Sequence, residues 1–200
     1  MTKTVCLDPG HGGSDPGCLT PSKRQEQFFA LDVCRRARGI LAPYCNVIMT
    51  RESEDEYVGL TARADFSIRN DSDIFISYHF NSADTPANGF EIFTTPPENN
   101  SDKLAACIWT AHRKQFPSQT DRGVKQANFT VIAKAACPAV LVEGEFIHTL
   151  SGEAFVESED NRQKMAHAVA DGALAYLGLD SSPELTVEQR LDRIENNLNL

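Results

Sequence analysis

The sequence has little clustered positive charge. Its 19 lysines and arginines are outnumbered by 28 aspartates and glutamates, giving a formal net charge of −9, and basic residues never occur more than two in a row. Because duplex recognition depends on clustered basic charge, we expect no nucleic-acid partner. No apolar run approaches the ~20 residues that a membrane-spanning helix needs, so we expect no membrane span. Asp8 interrupts the apolar residues near the N-terminus, which argues against a signal peptide and predicts synthesis in the cytoplasm.

The six cysteines do not form a recognisable metal or redox motif. The pattern C-x-x-C is absent from the chain, which disfavours a zinc ribbon and a thioredoxin-type site. In a chain without a secretion signal, cysteines are usually reduced and pack as small hydrophobic side chains. We therefore expect free thiols rather than disulfides.

Apolar strands alternate with amphipathic helices along most of the chain. Hydrophobic residues make up 41% of the 200 residues, which is typical of a globular protein. The alternation predicts an α/β layered domain over residues 1–180, with a mostly parallel, roughly six-stranded twisted sheet flanked by helices. The predicted strands cover residues 5–7, 46–50, 73–79, 89–94, 130–133 and 139–145. The predicted helices cover residues 26–41, 60–70, 102–116 and 160–177.

Residues 181–200 have a different pattern, which predicts a linker and a short amphipathic C-terminal helix. Ser181, Ser182 and Pro183 form the linker, and the apolar residues that follow are spaced like a heptad seam: Val187, Leu191, Ile194 and Leu198. Two heptads are too short for a stable isolated helix. We expect residues 184–198 to pair with the domain surface, with a further segment, or with a second copy in a homo-oligomer.

Three residues qualify as metal ligands by their position. His11 follows a predicted strand and lies among glycines, which let the backbone approach a site closely. Glu26 opens a predicted helix, where the helix dipole favours a carboxylate. His79 ends a predicted strand, at the edge where α/β sheets usually carry functional side chains. Two imidazoles and one carboxylate would leave a fourth zinc position open for water, although their spacing along the chain is not diagnostic.

Two further carboxylates are candidates for general acid–base catalysis. Glu143 ends the apolar run of residues 139–142, and a buried acid is costly unless it is paired or functional. Next to a metal-bound water, Glu143 would serve as a general base. Glu145 is two residues further on and is predicted to share the same strand face, so either carboxylate qualifies.

Short motifs occur in a fixed order from about residue 3 to residue 177. They are L-D-P-G-H-G-G at 7–13, V-I-M-T-R at 47–51, L-x-x-R at 60–63, D-I-F-I-S-Y-H-F-N at 73–81, R-G-V-K at 122–125 and P-A-V-L-V-E at 138–143. Together they resemble the zinc-dependent N-acetylmuramoyl-L-alanine amidases of the type 3 family. Those enzymes cut the bond between muramic acid and the stem peptide in bacterial cell walls.

The resemblance implies that one Zn²⁺ is bound by His11, Glu26 and His79 and that Glu143 is catalytic. It implies hydrolysis of the amide bond between N-acetylmuramic acid and L-alanine, with peptidoglycan as the substrate, as in a phage endolysin or a bacterial autolysin. Without an export signal, such an enzyme would reach the wall after release by a holin or by lysis. The alternatives are a zinc peptidase or carboxypeptidase acting on another wall amide, and a non-catalytic wall-binding protein of the same fold.

Outside the motif ligands, a few residues are candidates for substrate contacts. Asn81 lies two residues beyond His79, and Arg122 with Lys125 would meet peptide carboxylates. His148 places a titratable group near the rim, where the family usually has small or amide residues. Glu145 is a second departure from the family pattern, and we expect its charge to raise the pKa of Glu143. The helical His112 is expected to pack rather than to bind a ligand.

Overall fold

The computed structural model describes residues 2–179, and in this range the chain forms six strands and six helices. The strands are β1 (Thr4–Pro9), β2 (Asn46–Met49), β3 (Ile74–Asn81), β4 (Phe90–Thr94), β5 (Asp121–Gln126) and β6 (Ala139–Phe146). The helices are α1 (Glu26–Leu41), α2 (Leu60–Arg69), α3 (Asn100–Gln115), α4 (Thr130–Ala133), α5 (Leu150–Glu157) and α6 (Glu159–Leu177). The predicted domain boundary, tail helix and oligomeric contact lie outside the described residues. None of the described helices has the length and apolarity needed to cross a membrane.

The strands form one six-stranded sheet in the order β2-β1-β3-β6-β4-β5. The first four strands in this order are parallel, whereas β4 pairs antiparallel with β6 and β5 follows the direction of β4. This confirms the predicted α/β class with a mostly parallel sheet. Because β1, β3 and β6 are parallel, their carboxyl ends meet at one edge, which is where α/β sheets usually place functional groups.

Helices cover both faces of the sheet, and alternate strand residues pack against one layer or the other. In β1, Val5 and Leu7 join a core with residues of α1, α3 and α6, whereas Cys6 between them joins a smaller core with residues of α2 and α4. The three side chains are fully buried. Since burying one aliphatic side chain contributes about 1.5–3 kcal/mol, both layers stabilise the strands that position the sheet edge.

The prediction of a strand at residues 130–133 is wrong. These residues form the single turn α4, and the missing strand is β5. A four-residue apolar run does not distinguish a strand from a buried helical turn, and here Val131 and Ile132 pack into the smaller core. The strand β5 pairs only with β4, and most of its side chains are exposed. An exposed edge strand of this kind lacks the apolar alternation from which strands are predicted.

None of the six cysteines, all of which lie among the described residues, forms a disulfide. Cys6, Cys34 and Cys45 are buried, and burial raises the pKa of Cys45 to about 12. The thiols therefore pack as small apolar groups, as expected for reduced cysteines.

Candidate metal centre

Three side chains from separate segments meet at the carboxyl edge of the sheet. His11 follows β1, Glu26 is the first residue of α1, and His79 lies near the end of β3. The Nε2 atom of His11 and the Nδ1 atom of His79 lie 3.1 Å and 3.0 Å from Oε1 of Glu26, and 3.2 Å from each other. Within residues 2–179, this is the one group of histidine, cysteine and acidic side chains that could hold a metal ion.

The spacing of these three atoms fits a tetrahedral metal ion. Zinc bonds of about 2.0–2.1 Å place neighbouring ligand atoms about 3.3 Å apart in a regular tetrahedron, close to the observed separations. The Nδ1 atom of His11 lies 2.9 Å from Oδ2 of Asp15. An Nδ1–H donated to this carboxylate leaves the lone pair of Nε2 directed into the cluster. With three protein ligands, a fourth position stays open.

The backbone around the cluster leaves no room for additional side-chain atoms. His11 has a φ of 61°, in the left-handed region that few non-glycine residues adopt. A Cβ atom on Gly10 would overlap the imidazole ring of His79. A Cβ atom on Gly17 would lie 2.5 Å from Oε2 of Glu26 and 2.6 Å from Cδ2 of His11. These glycines therefore allow the ligand side chains to approach the main chain closely.

Glu26 is held at both carboxylate oxygens. Its Oε1 accepts a hydrogen bond from the backbone N–H of Phe80 at 2.9 Å, and its Oε2 accepts one from the backbone N–H of Cys18, also at 2.9 Å. The side chain is 2% exposed. Burial by itself would raise the pKa of Glu26, but hydrogen bonds from His11 and His79 outweigh it and hold the pKa below its usual range. Glu26 is therefore held in place in its ionised form.

Two buried arginines support the loop that carries His11. Arg63 forms an ion pair with Asp8 at 2.8 Å and donates to the backbone carbonyl oxygens of Pro9 and His11 at 2.7 Å and 2.6 Å. Arg51 donates to the same Pro9 carbonyl at 3.1 Å. Asp8, Arg51 and Arg63 are at most 3% exposed. Charge-assisted bonds of this kind replace the water that a polar loop would otherwise need.

Glu143 lies beside the cluster, one strand away. In the sheet register it is opposite His79 of β3 on one side and opposite Glu91 of β4 on the other. Its Oε2 atom is shielded from solvent and has no hydrogen-bond partner among the described residues. Burial raises the pKa of Glu143 well above its usual range, and the negative charges of Glu26 and Glu91 raise it further. A carboxyl group with a raised pKa holds a proton more readily, which suits a group that accepts and returns one.

Sequence reasoning missed Glu91, a buried carboxylate next to Glu143. Its Oε1 accepts a hydrogen bond from Nδ2 of Asn81 at 2.7 Å. Its Oε2 accepts from Nε of Arg122 at 2.7 Å and from Nζ of Lys125 at 2.5 Å. Burial alone would raise the pKa of Glu91, but Lys125 and Arg122 lower it overall. The available signal was an acid inside the apolar F-E-I-F segment at residues 90–93.

Glu145 does not share the surroundings of Glu143. Its carboxylate accepts hydrogen bonds from the backbone N–H groups of Gly89 and Phe146 and from Nε2 of Gln119, at 2.5–2.9 Å. The register between β3 and β6 shifts just beyond Glu143, which interrupts the alternation of side chains along β6. The expectation that Glu145 raises the pKa of Glu143 is wrong, because the carboxylates that do so lie on α1 and β4.

The remaining candidate residues lie around this group. Asn81 is bonded within the protein, through Nδ2 to Glu91 and through Oδ1 to the next backbone N–H. His148 lies outside the ligand cluster, with its Nε2 atom 3.1 Å from the carbonyl oxygen of Thr85. Arg122 lies beside Glu91 and is partly exposed. The structure thus brings together the three candidate ligands and Glu143, and leaves His148 outside this group.

Comparisons with known proteins match nearly the whole described domain. A family model described as N-acetylmuramoyl-L-alanine amidase matches residues 5–175. The chain is 35% identical over 178 residues to the probable cell wall amidase LytH of Staphylococcus epidermidis. It is 33% identical over 170 residues to the sporulation-specific N-acetylmuramoyl-L-alanine amidase of Bacillus subtilis. These alignments cover 87% and 84% of this chain, but 58% and 66% of the two relatives.

A solved structure has the same architecture. The catalytic domain of CwlV, an N-acetylmuramoyl-L-alanine amidase from Bacillus (Paenibacillus) polymyxa var. colistinus, superposes with a TM-score of 0.84 at 30% sequence identity. The match covers 89% of this chain and 99% of that domain. The two domains therefore share one fold over nearly the full length of the solved domain.

Proposed function

The chain belongs to the N-acetylmuramoyl-L-alanine amidase family, and on that premise we propose that it hydrolyses the amide bond between N-acetylmuramic acid and L-alanine in peptidoglycan, using one Zn²⁺. One observation carries this proposal. The ligand atoms of His11, Glu26 and His79 lie 3.0–3.2 Å apart beside Glu143, whose Oε2 atom is unpartnered among the described residues. The donor set of two nitrogens and one oxygen suits zinc, and the open fourth position suits a catalytic rather than a structural site.

The cluster residues and Asp15 would bind and orient the metal ion. His11, Glu26 and His79 would hold the ion, and Asp15 would fix the ring orientation of His11 through Nδ1. When bound, zinc lowers the pKa of water and polarises a carbonyl oxygen.

Glu143 would move the proton. It lies opposite His79 in the sheet register, one strand away, so its carboxylate would lie beside a metal ion held by the cluster. A raised pKa suits a group that takes a proton from water as the carbonyl carbon is attacked and then gives it to the departing alanine amine. This proton transfer leaves a muramic acid carboxylate and a free N-terminal alanine as products.

We further propose that the protein acts on the bacterial cell wall after release from the cell that makes it, as an endolysin or autolysin. The name of the S. epidermidis relative refers to the cell wall, which supports the site of action.

The test is a digest of purified peptidoglycan, with and without a zinc chelator, followed by end-group analysis and mass spectrometry. We expect new N-terminal alanine that appears only with zinc present. The Glu143→Gln variant should bind one zinc ion as the wild type does and lose at least about 100-fold in turnover, the range typical of a missing general base.

The matched control is Glu145→Gln, which neutralises the neighbouring carboxylate. Once its folding is checked by circular dichroism, it should keep turnover within a few-fold of the wild type. Unchanged turnover in Glu143→Gln would refute the role of Glu143. New termini other than alanine would instead support a peptidase acting on another wall amide. Zinc binding without any cleavage would support a wall-binding protein.

A further inference from the structure

Arg122 holds a guanidinium group in a fixed orientation next to the proposed proton-transfer residue. We propose that this group binds a free carboxylate of the stem peptide, on the alanine side of the scissile bond. The inference rests on the proposed function, since it names which part of that substrate the site would recognise. The ligand class is a peptide carrying an α-carboxylate one residue beyond the alanine.

Two contacts fix the plane of the Arg122 side chain. Its Nε donates to Oε2 of Glu91 at 2.7 Å, and its Cζ lies 4.7 Å from the centre of the Phe146 ring. With Nε and one face of the group occupied, the two terminal nitrogens remain, and neither has a hydrogen-bond partner within the described range. The side chain is 35% exposed, so part of it is accessible to a ligand. A planar pair of N–H donors matches the two oxygens of a carboxylate.

The charges around Arg122 also favour an anion. Lys125 donates to the same oxygen of Glu91 at 2.5 Å, and its side chain is 38% exposed. Two cations therefore share one carboxylate, so Arg122, Lys125 and Glu91 taken by themselves carry one unit of net positive charge, in a chain whose formal net charge is −9. Asn81, the third group on Glu91, is neutral and does not alter this balance. A substrate carboxylate would balance the excess charge.

The position along the sheet edge agrees with the chemistry of the stem peptide. His79, Glu143 and Glu91 occupy matching positions on three adjacent strands, and each step across the sheet is about 4.8 Å. Arg122 extends this row beyond Glu91. In a peptide, consecutive Cα atoms are about 3.8 Å apart. A carboxylate one residue past the alanine would therefore fall one strand beyond Glu143, beside Glu91, where the Arg122 side chain reaches back from β5 and its Nε lies 2.7 Å from Oε2 of Glu91.

The test uses two disaccharide–tripeptide muropeptides that differ only at the second stem residue, which carries either an α-carboxylate or an α-carboxamide. We expect the wild type to show a KM about 10- to 100-fold lower for the carboxylate form, as for a charge-assisted bidentate contact. Arg122→Gln should raise the KM of the carboxylate form to that of the amide and change kcat little. Arg122→Lys keeps the charge without the paired donors and should recover part of the preference.

The control variant is Arg38→Gln. Arg38 is 38% exposed and pairs with Glu52 at 2.8 Å, so the substitution makes the same charge change at a similar ion pair. Arg38 lies 12 residues along α1 from Glu26, about 18 Å away at the helical rise. This variant should keep the wild-type preference.

Two results would overturn the inference. For each protein, kcat/KM for the carboxylate substrate can be divided by kcat/KM for the amide substrate. One overturning result is that this ratio is the same in the wild type and in Arg122→Gln. The other is equal binding of the two muropeptides to zinc-loaded Glu143→Gln protein, measured by calorimetry. The binding measurement does not depend on turnover. Absence of hydrolysis by the wild type would therefore refute the proposed function alone, and preferential binding of the carboxylate form would still support the role of Arg122.

Discussion

His112 should make the stability of the fold strongly dependent on pH. Its ring is 1% exposed and stacks on Phe90 with centroids 3.7 Å apart. The Nε2 atom lies 2.6 Å from Oε1 of Gln119, whose own Nε2 donates to the carbonyl oxygen of Gly144 and to Glu145. Because the amide oxygen of Gln119 faces the ring, His112 is the donor and its Nε2 carries the proton. Burial lowers the pKa of His112 to about 4.

The magnitude follows from the difference between the folded and unfolded pKa. In the unfolded chain His112 binds a proton below about pH 6.5, whereas in the fold it does so only near pH 4. The stabilisation of the fold by neutral, buried His112 is therefore fully present above pH 6.5, and it is lost as the pH falls from 6.5 to 4. From the two pKa values, the loss is about 2 kcal/mol between pH 8 and pH 5 and about 3 kcal/mol by pH 4.

Two variants that cannot titrate test this reasoning. His112→Gln keeps a side-chain donor, and His112→Phe keeps the stacked ring but leaves the oxygen of Gln119 unpaired. The second should be less stable at pH 8, by about 1–3 kcal/mol. The free energy of unfolding is measured by urea denaturation at pH 8 and at pH 5. Between these pH values it should fall by about 2 kcal/mol less in both variants than in the wild type. If both variants lose as much stability as the wild type, the buried neutral histidine is not the cause.

Two further substitutions test the metal centre and its support. Gly17→Ala would place a methyl group against two of the three candidate ligands, at a φ of 68°. Zinc affinity, measured by chelator competition, should therefore fall at least about 10-fold. An affinity equal to that of the wild type would contradict the predicted clash. Arg63→Met would leave the buried Asp8 without its ion pair, and the free energy of unfolding should drop by about 3–5 kcal/mol. If the free energy of unfolding falls by less than about 1 kcal/mol in thermal or urea denaturation, other groups stabilise the buried charge of Asp8 without Arg63.

The meeting of His11, Glu26 and His79 was predictable because the signals in the sequence are local. His11 and His79 each follow an apolar strand, and Glu26 opens a helix, so the α/β order alone brings these positions toward one edge. Glu143 carried a similar signal, an acid at the end of an apolar run. The separation of the ligand atoms, and hence the fit to a tetrahedral ion, depends on the register of β1 with β3 and needed the structure.

The surroundings of Glu143 were not predictable in the same way. They depend on β4 pairing antiparallel with β6, a reversal that no local pattern encodes. The cations that hold Glu91 come from β5, whose exposed residues lack strand periodicity. Glu145 was assigned to the wrong environment because period-two alternation fails where the register shifts. Long-range pairing therefore decided which carboxylates face each other.

The geometry of the His11 loop depends on residues far from it in sequence. Arg51 follows β2 and Arg63 lies in α2, yet both direct guanidinium donors at carbonyl oxygens between Pro9 and His11. A left-handed residue costs about 1–3 kcal/mol and persists only where its surroundings over-determine it. The two arginines supply that constraint with fixed donors rather than exchangeable water. The motifs V-I-M-T-R and L-x-x-R, which contain none of the three clustered residues, therefore act on the candidate metal centre by holding the backbone of His11 in place.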